Sequence, residues 1–188
     1  MIGLAAPGTA TRLRDRFPLA SETAAVYAVI VICVYGWTLL WFFWKLSGWL
    51  YYLNAVEMLT ILGYSLAVNL LESLLVLCLP IVLSIVLPRR WFGERFVASS
   101  IAILLPFLAF MMYAANQFIE REQFRQSHLL RLLIPMAFLA IGLVLAVHRI
   151  RPLDRALRAL AERATIFLYL SIPVSIAALA AVLLRNLN

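Results

Sequence analysis

The sequence predicts an all-α integral membrane bundle of five transmembrane helices, with an amphipathic helix on the inner membrane surface. Three observations predict it. Five apolar stretches, at about 24–44, 61–87, 97–118, 129–147 and 165–184, each approach the about 20 residues that a helix needs to cross a hydrocarbon layer about 30 Å thick. Hydrophobic residues make up 65% of the 188-residue chain and charged residues 13%, whereas soluble domains are nearer about half and about a quarter. The period-2 alternation of an outer-membrane barrel is missing. Lipid offers no partner to a backbone N–H or C=O, so spans of this kind pair their own backbone as helices.

In chain order, residues 1–22 read as a polar cytoplasmic leader and 23–188 as a single transmembrane domain without internal repeats. Arg12, Arg14 and Arg16 precede a first apolar run of 21 residues. That run is longer than the about 7–15 of a cleaved signal core, so it reads as an uncleaved signal anchor. Trp37, Trp41 and Trp44 fall at i, i+4 and i+7 on one helical face. An interfacial aromatic belt explains them, with a ligand-stacking box as the sharper alternative. Residues 47–60 are expected to form a short interfacial helix or re-entrant turn. The second span, if continuous over 56–87, exceeds the bilayer and must tilt or protrude. Pro80 should kink or loosen it, and Pro88 should end it. The short turn 89–95 makes spans two and three antiparallel neighbours. Pro106, Pro135 and Pro173 should bend the remaining spans. Residues 119–131 are expected to extend span three as a mixed-charge outer helix. In the stretch 148–164, Ile150, Leu153, Leu157 and Leu160 form one apolar stripe, while Arg149, Arg151, Arg155, Arg158 and Arg163 cover the remaining surface. Asp154 can pair with Arg158 in the favourable i, i+4 order. Such a helix lies in the headgroup plane, its arginines facing anionic lipid headgroups.

Counting loops alternately places eleven Lys and Arg on the side of the N-terminus and five on the other. Positive residues stay cytoplasmic, which predicts the N-terminus inside and the C-terminus outside. The net charge of +7 is thus explained by topology and lipid, and no nucleic-acid partner is expected. The expected partners are membrane lipids, including anionic headgroups, and other membrane subunits or further copies of the chain.

Glu72 is the residue that stands out. It lies near the middle of the second span, where a charged side chain costs at least about 2.5–3.5 kcal/mol on insertion scales, so it is expected to point into the bundle. Ser65 and Asn69 share its face, and matched depth makes Thr38 and Tyr113 candidate partners. Glu72, Asn69, Ser65, Thr38 and Tyr113 are therefore a candidate intramembrane polar cluster, serving either as a proton or ion relay or as hydrogen-bonded packing between helices. Glu57, Tyr64, Tyr113, Asn116 and Gln117 could line an outward vestibule. No metal, cofactor or catalytic residue is expected. His128 and His148 fall on opposite sides of the membrane, no CxxC or HExxH spacing occurs, and both aspartates, Asp15 and Asp154, lie inside. Cys33 and Cys78 fall within spans at similar depth and read as small buried hydrophobes.

The layout of a cytoplasmic N-terminus and five spans, with Arg151-Pro152-Leu153 leading through the last span to Leu184-Arg185-Asn186, resembles the membrane region of lipoteichoic-acid-synthase-like and sulfatase-like phosphoglycerol transferases. That resemblance covers residues 24–188 and implies a prokaryotic cytoplasmic membrane. It also implies a free-standing anchor, a truncated piece or a diverged accessory subunit, since the exported catalytic domain of those enzymes has no counterpart before Asn188. Three functions follow as expectations. The first is a small non-enzymatic membrane subunit that scaffolds or anchors a larger assembly. The second is an oligomeric channel or transporter-like permeation protein using Glu72. The third is the membrane part of a phosphoglycerol-transferase-like enzyme.

Overall fold

A computed structural model describes residues 18–87, 95–120 and 126–187. The described residues form six helices and no strand. These are α1 (Ala20–Trp49), α2 (Ala55–Val86), α3 (Phe96–Glu120), α4 (Gln126–Arg149), α5 (Arg151–Ala164) and α6 (Ile166–Leu187). All except α5 are long and apolar enough to cross a membrane, which makes the chain an all-α integral membrane protein. Its leader falls mostly outside the described residues, as do the turn 89–94 and Arg121, Glu122 and Arg125 of the charged stretch 119–131.

α1 is the centre. Its first half is enclosed almost completely, with Ala25, Val26, Tyr27, Ala28, Val29, Ile30 and Val31 buried in succession. A continuous run of buried positions means that neighbours surround the helix, and α1 does pack against α2, α3, α5 and α6. α4 leans on the far side of α3, and α6 packs along α2 while still touching α1. The bundle therefore has two wings, α3–α4 and α2–α6, joined through α1. Small residues allow the close approaches. Ala98 and Ala102 of α3 receive Val144 and Val147 of α4, since lipid-solvated helices associate by backbone proximity rather than by a hydrophobic force.

This arrangement corrects the expectation that spans two and three are neighbours. Despite the short connection, α2 and α3 meet only sparingly, each packing more closely against α1 than against the other. The segment 47–60 also differs from expectation. α1 runs on to Trp49, a turn of backbone hydrogen bonds leads to Leu53, and α2 begins at Ala55. A capping box explains the abrupt start: Glu57 N–H donates to Asn54 Oδ1 and Asn54 N–H to Glu57 Oε2, both at 2.9 Å. Two orphan amides are satisfied at once. α2 is one 32-residue helix with Pro80 inside it.

α5 closes one end of the bundle. Ile150 breaks the chain after α4, and Pro152 occupies the first turn of α5, where its missing N–H costs nothing. Arg95 locks the junction by donating Nη1 to the carbonyls of Val147 (2.7 Å) and His148 (3.1 Å) in the last turn of α4, where a helix runs out of its own amide donors. The Asp154–Arg158 pair forms at 3.1 Å, and Arg149, Arg151, Arg155 and Arg163 are exposed. The apolar stripe is shifted from its expected register. Ala161 and Ala164 are fully buried and Leu157 packs beside them, whereas Leu160 is 51% exposed. Small side chains face α1 because α5 is packed up against the bundle, so a leucine would not fit there. Replacing Ala161 by Leu should therefore destabilise the fold by about 1–3 kcal/mol through overpacking. Leu160→Ala should change stability by less than about 0.5 kcal/mol. Thermal unfolding of the purified protein in detergent distinguishes the two.

Candidate functional site

The faces of α2 determine which polar residues meet. Asn69, Ser73, Val76, Pro80 and Ser84 are buried, a stripe of small and hydrogen-bonding residues turned toward α1. Thr38 Oγ1 donates to Asn69 Oδ1 at 3.0 Å. Ser73 Oγ donates to the Leu70 carbonyl at 3.0 Å and meets the Tyr27 hydroxyl at 3.1 Å, so Tyr27 supplies the proton of that contact. About two turns further along α1, the Tyr35 hydroxyl bonds Ser175 Oγ of α6 at 2.8 Å and also lies near Tyr27 and Ser73. The result is a polar seam between α1, α2 and α6 within the apolar part of the bundle. It retains unused capacity: Asn69, only 3% exposed, has no partner for Nδ2, and Ser171 Oγ is buried without one.

Of the expected cluster, the structure joins Thr38 and Asn69 and separates the rest. Ser65 bonds its own helix at the Ile61 carbonyl. Tyr113 is 48% exposed and lies against α1 and not α2. Glu72 is exposed, contrary to the expectation that it points inward. Its position one residue before Ser73 turns it about 100° away from that side chain. The face toward α1 is taken by small residues because the helices approach closely there. Tyr27, Ser73, Tyr35 and Ser175 are the functional-looking residues that sequence reading passed over. The available signal was the recurrence of small polar residues at 65, 69, 73 and 84 of one helix and at 171 and 175 of another.

The second feature is a groove of about 730 Å³ between α1 and α3, lined by Trp37, Leu40, Trp41 and Trp44 on one wall and Ala109, Met112, Tyr113 and Asn116 on the other. The two helices run parallel from their packed beginnings and diverge toward their ends. Trp37 and Trp41 meet edge to face at 6.0 Å, and Trp41 and Trp44 lie 5.1 Å apart. Lys45 Nζ lies 5.7 Å from the Trp41 ring centre. The expected vestibule does not assemble. Tyr64 and Asn186 of α6 exchange hydrogen bonds at 3.0 and 3.3 Å, Glu57 is committed to its cap, and only Tyr113 and Asn116 reach the groove. A third space, about 370 Å³ between α2, α3 and α4, is walled by leucine, isoleucine, phenylalanine and other apolar side chains.

Among the described residues, no three His, Cys, Asp or Glu side chains gather as a metal site requires. Cys33 and Cys78 are free thiols; Cys78 is exposed on α2 and so is not the buried hydrophobe expected. His128 has its side chain outside the described residues, while His148 bonds the Val144 carbonyl. The fold and its site define a five-span helical membrane protein with a polar inter-helix seam and an aromatic groove. No protein-family model, characterised protein or solved structure matches the chain.

The seam predicts an asymmetry between hydroxyls. Thr38→Val should cost about 0.6 kcal/mol, and no more than about 1.7, the range measured for hydrogen bonds between membrane helices. Ser65→Ala should be close to neutral, because that hydroxyl serves only its own helix. Unfolding titrations in mixed detergent micelles provide the comparison.

Proposed function

We propose that this chain is a non-enzymatic integral membrane subunit that anchors or scaffolds a larger membrane assembly. The exposure of Glu72 carries this reading. The side chain sits midway along a 32-residue apolar helix, among Val68, Leu71 and Leu75, which are exposed with it. Among the described residues it has no hydrogen-bond partner, and hydrocarbon cannot supply one. Intramembrane carboxyls face protein or water. A helix of another chain, presenting a donor at this depth, supplies what the bundle does not. The wings support the same reading, because α4 and α6 are held on one side only and leave broad faces for neighbours.

The exposed Glu72 also favours one second reading, a pathway formed between copies of this chain. The four helices packed around α1 leave Glu72 outside any route through a single bundle. On this reading, carboxyls from several copies would surround a shared axis.

Purification from native membranes in mild detergent tests both. The chain should carry other subunits at fixed stoichiometry. Glu72→Leu should weaken that association by about 0.6–1.7 kcal/mol, the worth of one inter-helix hydrogen bond, and Glu72→Gln should retain it. A wild-type chain running alone as a monomer rejects both readings. A homo-oligomer whose ion flux in liposomes falls with Glu72→Gln selects the second.

A further inference from the structure

The groove between α1 and α3 has a built-in polarity independent of any partner subunit. α1 and α3 both run toward the same end, so the lining passes from Trp37 and Ala109, deep in the apolar layer, to Trp44 and Asn116 at the mouth, and Lys45 follows Trp44 in the chain with its ammonium 5.7 Å from the Trp41 ring centre. Lys45 follows Trp41 by one turn on the same face and is the chain's one lysine. Among the described residues its ammonium has no carboxylate within ion-pair distance, and it lies over the Trp41 ring. The carboxylate nearest in sequence on the following helix, Glu57, is engaged in the α2 cap. A cation entering the tryptophan wall would meet Lys45 already there, whereas an anion would be attracted to it. Tyr113 and Asn116 add a hydroxyl and an amide, both able to donate to oxygen.

We propose that this groove seats one anionic phospholipid, its phosphate at Lys45 and Asn116 and one acyl chain descending between Trp37 and Ala109. The volume of about 730 Å³ falls in the about 300–1,000 Å³ range of small-ligand sites. It accepts a phosphate and the upper part of one chain, while the second chain remains in the bilayer. Tryptophan and tyrosine suit the level where headgroup gives way to hydrocarbon. The occupant is thus distinct from lipids drawn to the arginines of α5, which lie at the opposite end of α1.

Tryptophan emission reads the site directly, because three of the five tryptophans line it. The full chain is reconstituted in phosphatidylcholine vesicles containing increasing fractions of either chain-brominated phosphatidylglycerol or chain-brominated phosphatidylcholine. Half-quenching should occur at about a fivefold lower mole fraction of the anionic lipid, the selectivity that one lysine near an anionic surface supplies. Lys45→Gln should merge the two curves and Lys45→Arg should keep them apart. Ala109→Phe, which fills the deep end and leaves every charge in place, should reduce the preference. Arg155→Gln with Arg163→Gln should leave it intact. Coincident curves for the wild type, a preference that survives Lys45→Gln, or a preference erased by excess inorganic phosphate would each overturn the proposal. Unchanged helicity and elution of each variant confirm that the comparison is between folded proteins.

Discussion

The enclosure of the first half of α1 is the constraint on which the rest depends. In hydrocarbon, apolar side chains gain nothing by leaving their solvent for a core, so helices associate through close van der Waals contact and shared hydrogen bonds. α1 supplies both. Its alanines and valines let α2, α3, α5 and α6 approach closely, and Tyr27, Tyr35 and Thr38 extend from it to hydroxyls and an amide on α2 and α6. Both wings are positioned by reference to this one helix. Without it, α2 and α3, adjacent in sequence, would have little to hold them together.

A gradient follows along the bundle axis. At the α5 end the packing is tight. Arg95 caps α4, Pro152 starts α5 at once, and Ala161 and Ala164 lock the amphipathic helix against α1. At the other end the helices diverge, leaving α1 and α3 to form an aromatic-walled groove. The α2–α6 wing is tied there by the Tyr64–Asn186 pair and by Arg185, which donates to Thr60 Oγ1 at 2.7 Å. One end is therefore closed and the other open.

Glu72 and Asn69 show the two uses of a polar group in such a helix. Three residues apart, they are separated by about 60° around the axis. Asn69 falls on the crowded face and joins Thr38; Glu72 falls past its edge and is left outside. The costly residue is thus directed away from its own bundle. A carboxyl kept there asks for a donor from elsewhere, which is why the subunit reading rests on it.

Much of the architecture was readable before folding. The five membrane-length helices and the Asp154–Arg158 pair follow from run length, composition and i, i+4 spacing, because the thickness of hydrocarbon and the pitch of a helix are fixed. The facing of each helix was not readable. A span apolar on every side carries no one-dimensional mark of its inner surface, since leucine is equally at home against lipid and against protein. Hence Glu72 was expected inside on grounds of cost, Leu160 was assigned to a contact that Ala161 makes, and spans two and three were made neighbours because their link is short. Only the three-dimensional packing around α1 broke that symmetry. It did so through the sizes of Ala25, Ser73, Ala98 and Ala161, which decide where two backbones can come close.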